Sequence, residues 1–166
     1  MRFCNNAIRI YVILNRMFAW AERQLPKVIG VYASEIGSQT ARNDTEALYK
    51  SARESIRIVS ANLPQSDPLI AASERGVAVE IITTEGQYWS DILKLTKNGI
   101  SVFELNHPPY QEFDIVDEKH LRAQEAKPEG TEISAMHYIV RNSHGASEYL
   151  QEFALLKKEA TPYPTV

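Results

Sequence analysis

Short β-branched runs alternate with helically spaced apolar residues along most of the chain. Strands are predicted at 28–32, 56–59, 77–82, 100–105 and 133–140. Helices are predicted at 44–55, 69–76, 88–97 and 146–158. The polar stretch 118–131 is predicted to be a surface loop, and the proline-containing tail 160–166 is expected to fray. This alternation indicates an α/β fold with a mostly parallel central sheet flanked by helices.

The first 26 residues form a separate segment in this pattern. Residues 7–21 are mostly apolar, but Arg9, Asn15 and Arg16 interrupt them. The longest unbroken apolar run is far shorter than the roughly 20 residues that cross a bilayer. We expect an extra N-terminal helix over residues 1–26 that packs on the domain or on a partner chain, with attachment to a membrane surface as the alternative. Residues 27–166 are expected to form one domain.

Composition narrows the class of protein. The chain has 166 residues, 44% of them hydrophobic and 23% charged, with a formal net charge of −3. The basic residues are scattered, so there is no strong nucleic-acid signal. The single cysteine, Cys4, excludes an internal disulfide and makes a cytoplasmic location the simplest expectation. His120 lies close to Asp117 and Glu118, but such loop clusters are common, and we expect neither a metal nor another cofactor.

The segment 110–117, Tyr-Gln-Glu-Phe-Asp-Ile-Val-Asp, resembles the His-x-Lys-x4-Asp motif of the phospholipase D superfamily. Asp117 matches the acid, and the apolar residues before it match the motif strand. Tyr110 stands at the position of the nucleophilic His, and Glu112 stands at the position of the phosphate-binding Lys. A carboxylate at that position repels phosphate. The resemblance therefore implies the fold while arguing against the reaction.

The order of elements from 43 to 158 is also similar to a single-motif phospholipase D-like domain. One feature departs from the family pattern, because Gln124 and Glu125 stand about where the family has Gly-Ser. In this family the active site usually forms between two motif copies. One copy in this chain therefore implies a homodimer.

The resemblance implies a ligand site at Tyr110, Glu112, Asp114 and Asp117. Tyr110 offers an aromatic face, and the carboxylates accept hydrogen bonds from sugar hydroxyls or attract a cationic ligand. Glu112 and Asp114 are two residues apart on the predicted strand and should share a face. The alternative is that these residues are substitutions in a site that no longer functions.

The function that follows is a catalytically inactive phospholipase D-like domain that acts as a ligand-binding or dimerisation module. Degenerate members of the family also resemble the effector domains of archaeal sugar-responsive transcriptional regulators, which suggests a regulatory role. The alternative is an active phosphodiesterase or nuclease with a divergent site. That alternative requires a His and a Lys to converge near Asp117, with His107 and His120 as the candidate histidines.

Overall fold

The computed structural model describes residues 28–34, 39–84, 89–126, 135–141 and 143–164. The predicted N-terminal helix and the boundary at residue 26 lie outside the described residues. No helix in the part that is described has the length and apolar character needed to span a membrane.

Helices and strands alternate through the first half of the described chain, and strands dominate the second half. The strands are β1 (Val28–Ser34), β2 (Ser55–Ser60), β3 (Ala78–Thr84), β4 (Ser101–Leu105), β5 (Glu112–Val116), β6 (His120–Ala126), β7 (Ala135–Arg141) and β8 (Thr161–Pro162). The helices are α1 (Gln39–Ser51), α2 (Ser66–Glu74), α3 (Trp89–Lys97) and α4 (Ser143–Glu159).

The described strands form one sheet in the order β1-β7-β6-β5-β2-β3-β4-β8. The predicted α/β class is confirmed, but the prediction of a mostly parallel sheet needs correction. Only β2, β3 and β4 pair in parallel, because α2 and α3 connect them as crossover helices. The remaining ladders are antiparallel.

Two segments expected to be irregular belong to this sheet. Residues 120–126, predicted as surface loop, form β6, which is joined to β5 by the short turn 117–119 and so must run antiparallel to it. In the tail, Thr161 and Pro162 pair with β4, and the Tyr163 amide donates to the Val102 carbonyl at 2.9 Å. The predicted loop and the predicted frayed tail were both wrong at these positions.

Helices cover both faces of the sheet. Ile58 and Ile81 pack on one face with residues of α1, α2 and α3. Val59 and Ile82, the next residues along β2 and β3, pack on the opposite face with residues of α4. This alternation is expected for strands buried on both sides.

Two glycines end helices and allow the chain to turn into the following strand, as the sequence predicts. Gly76 and Gly99 follow α2 and α3 with φ of 88° and 77°, which side chains disfavour. After α2, the amide of Val77 donates to the carbonyl of Ala72 and the amide of Gly76 donates to that of Ser73, at 3.1 and 2.8 Å. This Schellman arrangement reverses the chain into β3.

Candidate functional site

The motif segment 110–117 runs along β5, an interior strand, from the carboxyl end of the neighbouring strand β2 to its amino end. β5 is antiparallel to β2, so Glu112 begins β5 beside the carboxyl end of β2 and Asp117 lies beside its amino end. Five residues of strand separate Glu112 from Asp117 by about 16 Å. The structure therefore does not bring Asp117 together with the other predicted ligand-binding residues.

Asp117 binds backbone amides of the segment that precedes β2. Its Oδ1 accepts hydrogen bonds from the amides of Arg53, Glu54 and Ser55 at 3.1, 2.8 and 3.1 Å, and its Oδ2 accepts a second bond from Arg53 at 3.1 Å. Burial raises the pKa of Asp117, but these amides, aided by Lys119, lower the pKa below its ordinary value. The carboxylate is thus a structural anchor.

The turn that contains Asp117 has an unusual backbone. Asp117 and Glu118 have φ of 52° and 53°. The amide of Lys119 donates to the Val116 carbonyl at 3.1 Å. Positive φ at both central residues is the pattern of a type I′ turn, which usually contains Gly or Asn. The bonds of Asp117 to the backbone help to hold this conformation.

Glu112 is half-buried at the carboxyl edge of the parallel strands, where α/β sheets bind ligands. Its Oε1 accepts a hydrogen bond from the amide of Ala61 at 3.1 Å, and its Oε2 accepts one from the hydroxyl of Ser60 at 3.3 Å. Both donors lie at the end of β2. Glu112 is therefore a fixed acceptor at the position where the resembled motif has a cation.

Asp114 is fully buried and is paired with two side chains that the sequence analysis missed. Tyr49 of α1 donates to its Oδ2 at 2.6 Å. Arg122 of β6 donates through Nε to Oδ2 at 2.5 Å and through a terminal nitrogen to Oδ1 at 2.9 Å. Asp114 and Arg122 are directly opposite in the β5–β6 ladder. The charge of Asp114 is therefore neutralised internally and does not face a ligand alone.

Electrostatics support the pairing of these groups. Burial, reinforced by Asp114, raises the pKa of Tyr49, so its phenol stays protonated and donates. Burial alone lowers the pKa of Arg122, but the carboxylate of Asp114 raises it overall, and Glu112 adds to the rise. Glu112, Asp114 and Arg122 together carry one net negative charge.

Tyr110 contributes no packing to this cluster. It is fully exposed in the loop between β4 and β5. His107 is also exposed in that loop, with its Nδ1 3.0 Å from the Pro108 carbonyl oxygen. His120 begins β6 at the opposite edge, close to Lys119 and Asp117, but the Asp117 carboxylate is already bound to backbone amides.

The ion pair of Asp114 and Arg122 can be predicted from the sequence once the β5–β6 hairpin is recognised. Asp114 and Arg122 are opposite each other in any hairpin centred on Glu118. Tyr49 gives no comparable signal, because its partner lies 65 residues away. Among the described residues, no group of three or more His, Cys, Asp or Glu side chains is arranged to hold a metal ion.

Comparison with known proteins supplies structural relatives only. No family model matches the sequence, and no curated protein is similar in sequence. The phospholipase D family member Nuc from Salmonella typhimurium superposes with a TM-score of 0.68 and 20% identity, over 81% of this chain and 97% of Nuc. NucT from Helicobacter pylori gives 0.62 and 18% over 75% of this chain and 92% of NucT.

TrmBL2, described as an archaeal chromatin protein with a novel mode of DNA binding, also superposes. Its TM-score is 0.68 at 14% identity, over 99% of this chain and 65% of TrmBL2. At these identities the likeness concerns the fold. Together with the element order and the placement of the motif segment on β5, it establishes that this chain has a phospholipase D-like fold.

Proposed function

We propose that this chain is a catalytically inactive phospholipase D-like domain that binds a neutral polyol or a cationic ligand. The binding site lies where Glu112 stands beside the carboxyl ends of the parallel strands, which we call the Glu112 edge of the sheet. The observation that carries the proposal is the bonding of Glu112. At the position where the resembled motif has its Lys, a carboxylate is held by the Ala61 amide and the Ser60 hydroxyl. A phosphodiester brought to this edge meets a fixed negative charge.

The nucleophile position supports the same conclusion. Tyr110 stands there, fully exposed, and it lies in a loop and not on the strand. A phenol is a weak nucleophile unless a neighbouring base activates it. Loss of the nucleophile and of the stabilising cation removes several kcal/mol of transition-state stabilisation for each function.

The ligand class follows from the local charge. Arg122 binds Asp114, and Glu112 adds a further negative charge near that pair. A carboxylate accepts hydrogen bonds from hydroxyl groups and attracts ammonium groups, whereas it repels phosphoryl oxygens. Of the predicted ligand site, Glu112 is the residue we retain as a ligand contact. Asp114 orients Arg122, Tyr110 borders the edge, and Asp117 has a structural role.

We further propose that the domain works as a homodimer and that ligand binding serves regulation. The single motif copy supports dimerisation, because the resembled family assembles its site from two copies. The likeness to TrmBL2, which is described as a DNA-binding chromatin protein, supports a regulatory setting in which this domain is the ligand-binding part. Light scattering of the full chain at micromolar concentration should give about twice the monomer mass of 18.8 kDa. A monomer throughout that range would contradict this part of the proposal.

The alternative is a phosphodiesterase with a divergent site, and exposed His107 at the Glu112 edge is the observation that favours it. The test is turnover of bis(4-nitrophenyl) phosphate, a dinucleotide and phosphatidylcholine vesicles by the purified full chain. We expect no hydrolysis above the buffer rate. Turnover that is lost in His107→Ala or His120→Ala, but kept in the exposed-histidine control His144→Ala, would refute the proposed function.

A further inference from the structure

A buried hydroxyl without a partner lies near the proposed site. Thr83 is the penultimate residue of β3 and is 1% exposed. Within the described part of the chain, its Oγ1 has no hydrogen-bond partner. A buried hydroxyl that has given up its bonds to water destabilises the folded protein. Such a group points to a molecule that completes its hydrogen bond.

Thr83 lies in the same row of the sheet as Glu112. The β2–β3 register pairs Ser60 with Thr83, and the Ser60 hydroxyl donates to Glu112 at 3.3 Å. Thr83 is two residues beyond Ile81, and Glu112 is two residues before Asp114, so both share the face covered by α1. Ser60 lies between Thr83 and Glu112 in this row.

The neighbouring threonine shows the contrast. Thr84, on the opposite face, donates to the Ala61 carbonyl at 2.9 Å, and the Ala61 amide in turn donates to Glu112 at 3.1 Å. Thr84 and Ala61 therefore help to fix the Glu112 carboxylate. Thr83 has no such role within the described structure, although it lies one residue away.

We propose that Thr83 is a ligand-binding residue and that the ligand is a polyol of hexose size whose hydroxyl groups pair with Thr83 and Glu112. This inference rests on the proposed function and selects between its two ligand classes. A ligand hydroxyl both donates to and accepts from Thr83, whereas an ammonium group only donates and leaves the Thr83 proton unpaired. Thr83 and Glu112 are two strands apart, about 10 Å between backbones, which suits a sugar ring better than a triol.

The test is a thermal-shift titration of the full chain with D-glucose, maltose and myo-inositol, alongside ethanolamine and inorganic phosphate. Thr83→Val removes the hydroxyl at nearly constant shape. It should raise the ligand-free melting temperature by about 2–4 °C, because it removes an unpaired buried group. It should also weaken sugar binding about tenfold or more. Thr83→Ser keeps the hydroxyl and should keep the binding.

Thr96→Val is the matched control. Thr96 is also buried, at 4% exposure, but its hydroxyl donates to the Leu93 carbonyl at 3.3 Å. Its replacement should lower the melting temperature and leave sugar binding unchanged. A Thr83→Val protein that is less stable than the parent, or that fails to fold, overturns the inference.

The remaining outcomes separate this inference from the proposed function. Sugar binding that is unchanged in Thr83→Val but weakened in Glu112→Gln refutes the role of Thr83 and supports the proposed function. Stabilisation by ethanolamine alone refutes the polyol class and leaves a cationic ligand. Stabilisation by phosphate alone, or by none of the five probes, refutes both.

Discussion

Replacing Asp117 tests whether the acid of the motif holds the fold together or belongs to a ligand site. Its carboxylate binds the amides of Arg53, Glu54 and Ser55, and these bonds join the turn before β2 to the β5–β6 turn. Asp117→Ala removes all of them. It also places Ala at a φ of 52°, where a side chain without a local hydrogen bond is disfavoured.

The expected loss can be estimated from exposure. Arg53 and Glu54 are exposed, so their amides can bind water in the variant. Ser55 is buried, and an unsatisfied amide there costs about 1–3 kcal/mol. With about 1 kcal/mol for the positive φ, Asp117→Ala should lower the free energy of unfolding by roughly 2–4 kcal/mol. Asp117→Asn keeps one acceptor oxygen and tolerates this φ, so it should lose about 1–2 kcal/mol.

The pH dependence gives a second measurement. Because the pKa of Asp117 is lowered in the folded state, its contribution to stability is present above the unfolded pKa near 4 and is lost as pH falls through the folded value. Urea unfolding followed by circular dichroism from pH 7 to pH 3 should show that component in the parent and not in Asp117→Asn.

Glu118→Asn is the control for this experiment. Glu118 has the same positive φ but is exposed, and its carboxylate pairs with Arg57 at the surface, at 3.1 Å. This substitution should change the free energy of unfolding by less than about 0.5 kcal/mol. An Asp117→Ala protein with the parental urea midpoint would refute the structural role of Asp117.

Three further predictions concern the cluster around Asp114, and each is tested by measuring the urea midpoint at pH 7. Tyr49→Phe removes the hydroxyl that donates to Asp114 and should lower stability by about 1–3 kcal/mol; an unchanged midpoint would contradict that bond. Arg122→Met leaves the buried Asp114 carboxylate without its cation and should cost about 3–5 kcal/mol, part of which Asp114→Asn should restore in the double variant. Glu112→Lys loses the bond from the Ala61 amide and puts a cation near Arg122, so it should cost more than Glu112→Gln; equal midpoints would argue against both effects.

The parallel part of the sheet could be predicted from sequence because its signals are local. Runs of Val and Ile mark β2 and β3, and Gly76 and Gly99 stand where the chain must adopt positive φ after a helix. These features depend on residues close together in the chain. Burial on both faces then follows from the consecutive apolar pairs Ile58-Val59 and Ile81-Ile82, whose members point to opposite faces.

The β5–β6 hairpin could not be predicted in the same way. Its turn has Asp117 and Glu118 at positions where Gly or Asn is the usual signal, so the sequence looks like a polar loop. Among the described side chains of β6, Leu121 and Ala123 join the core of the α4 face, and most other residues of the strand are polar. If the hairpin is not predicted, the pairing of Arg122 with Asp114 cannot be predicted either. The stabilising partners of the turn lie more than 60 residues away.

The residues at the motif positions differ in what they do for the fold, and this limits the effect of substituting the residues of the resembled motif. Asp117 anchors two turns, so it is needed whether or not the protein has an activity. Tyr110 is fully exposed, so its side chain does not contribute to the core of the described structure. Glu112 is different, because it has bonds to Ala61 and Ser60 that a Lys cannot accept. Changing Tyr110 to His and Glu112 to Lys would therefore break existing contacts while adding a cation beside Arg122. We infer that this double substitution recreates the His-x-Lys-x4-Asp sequence but does not confer phosphodiesterase activity.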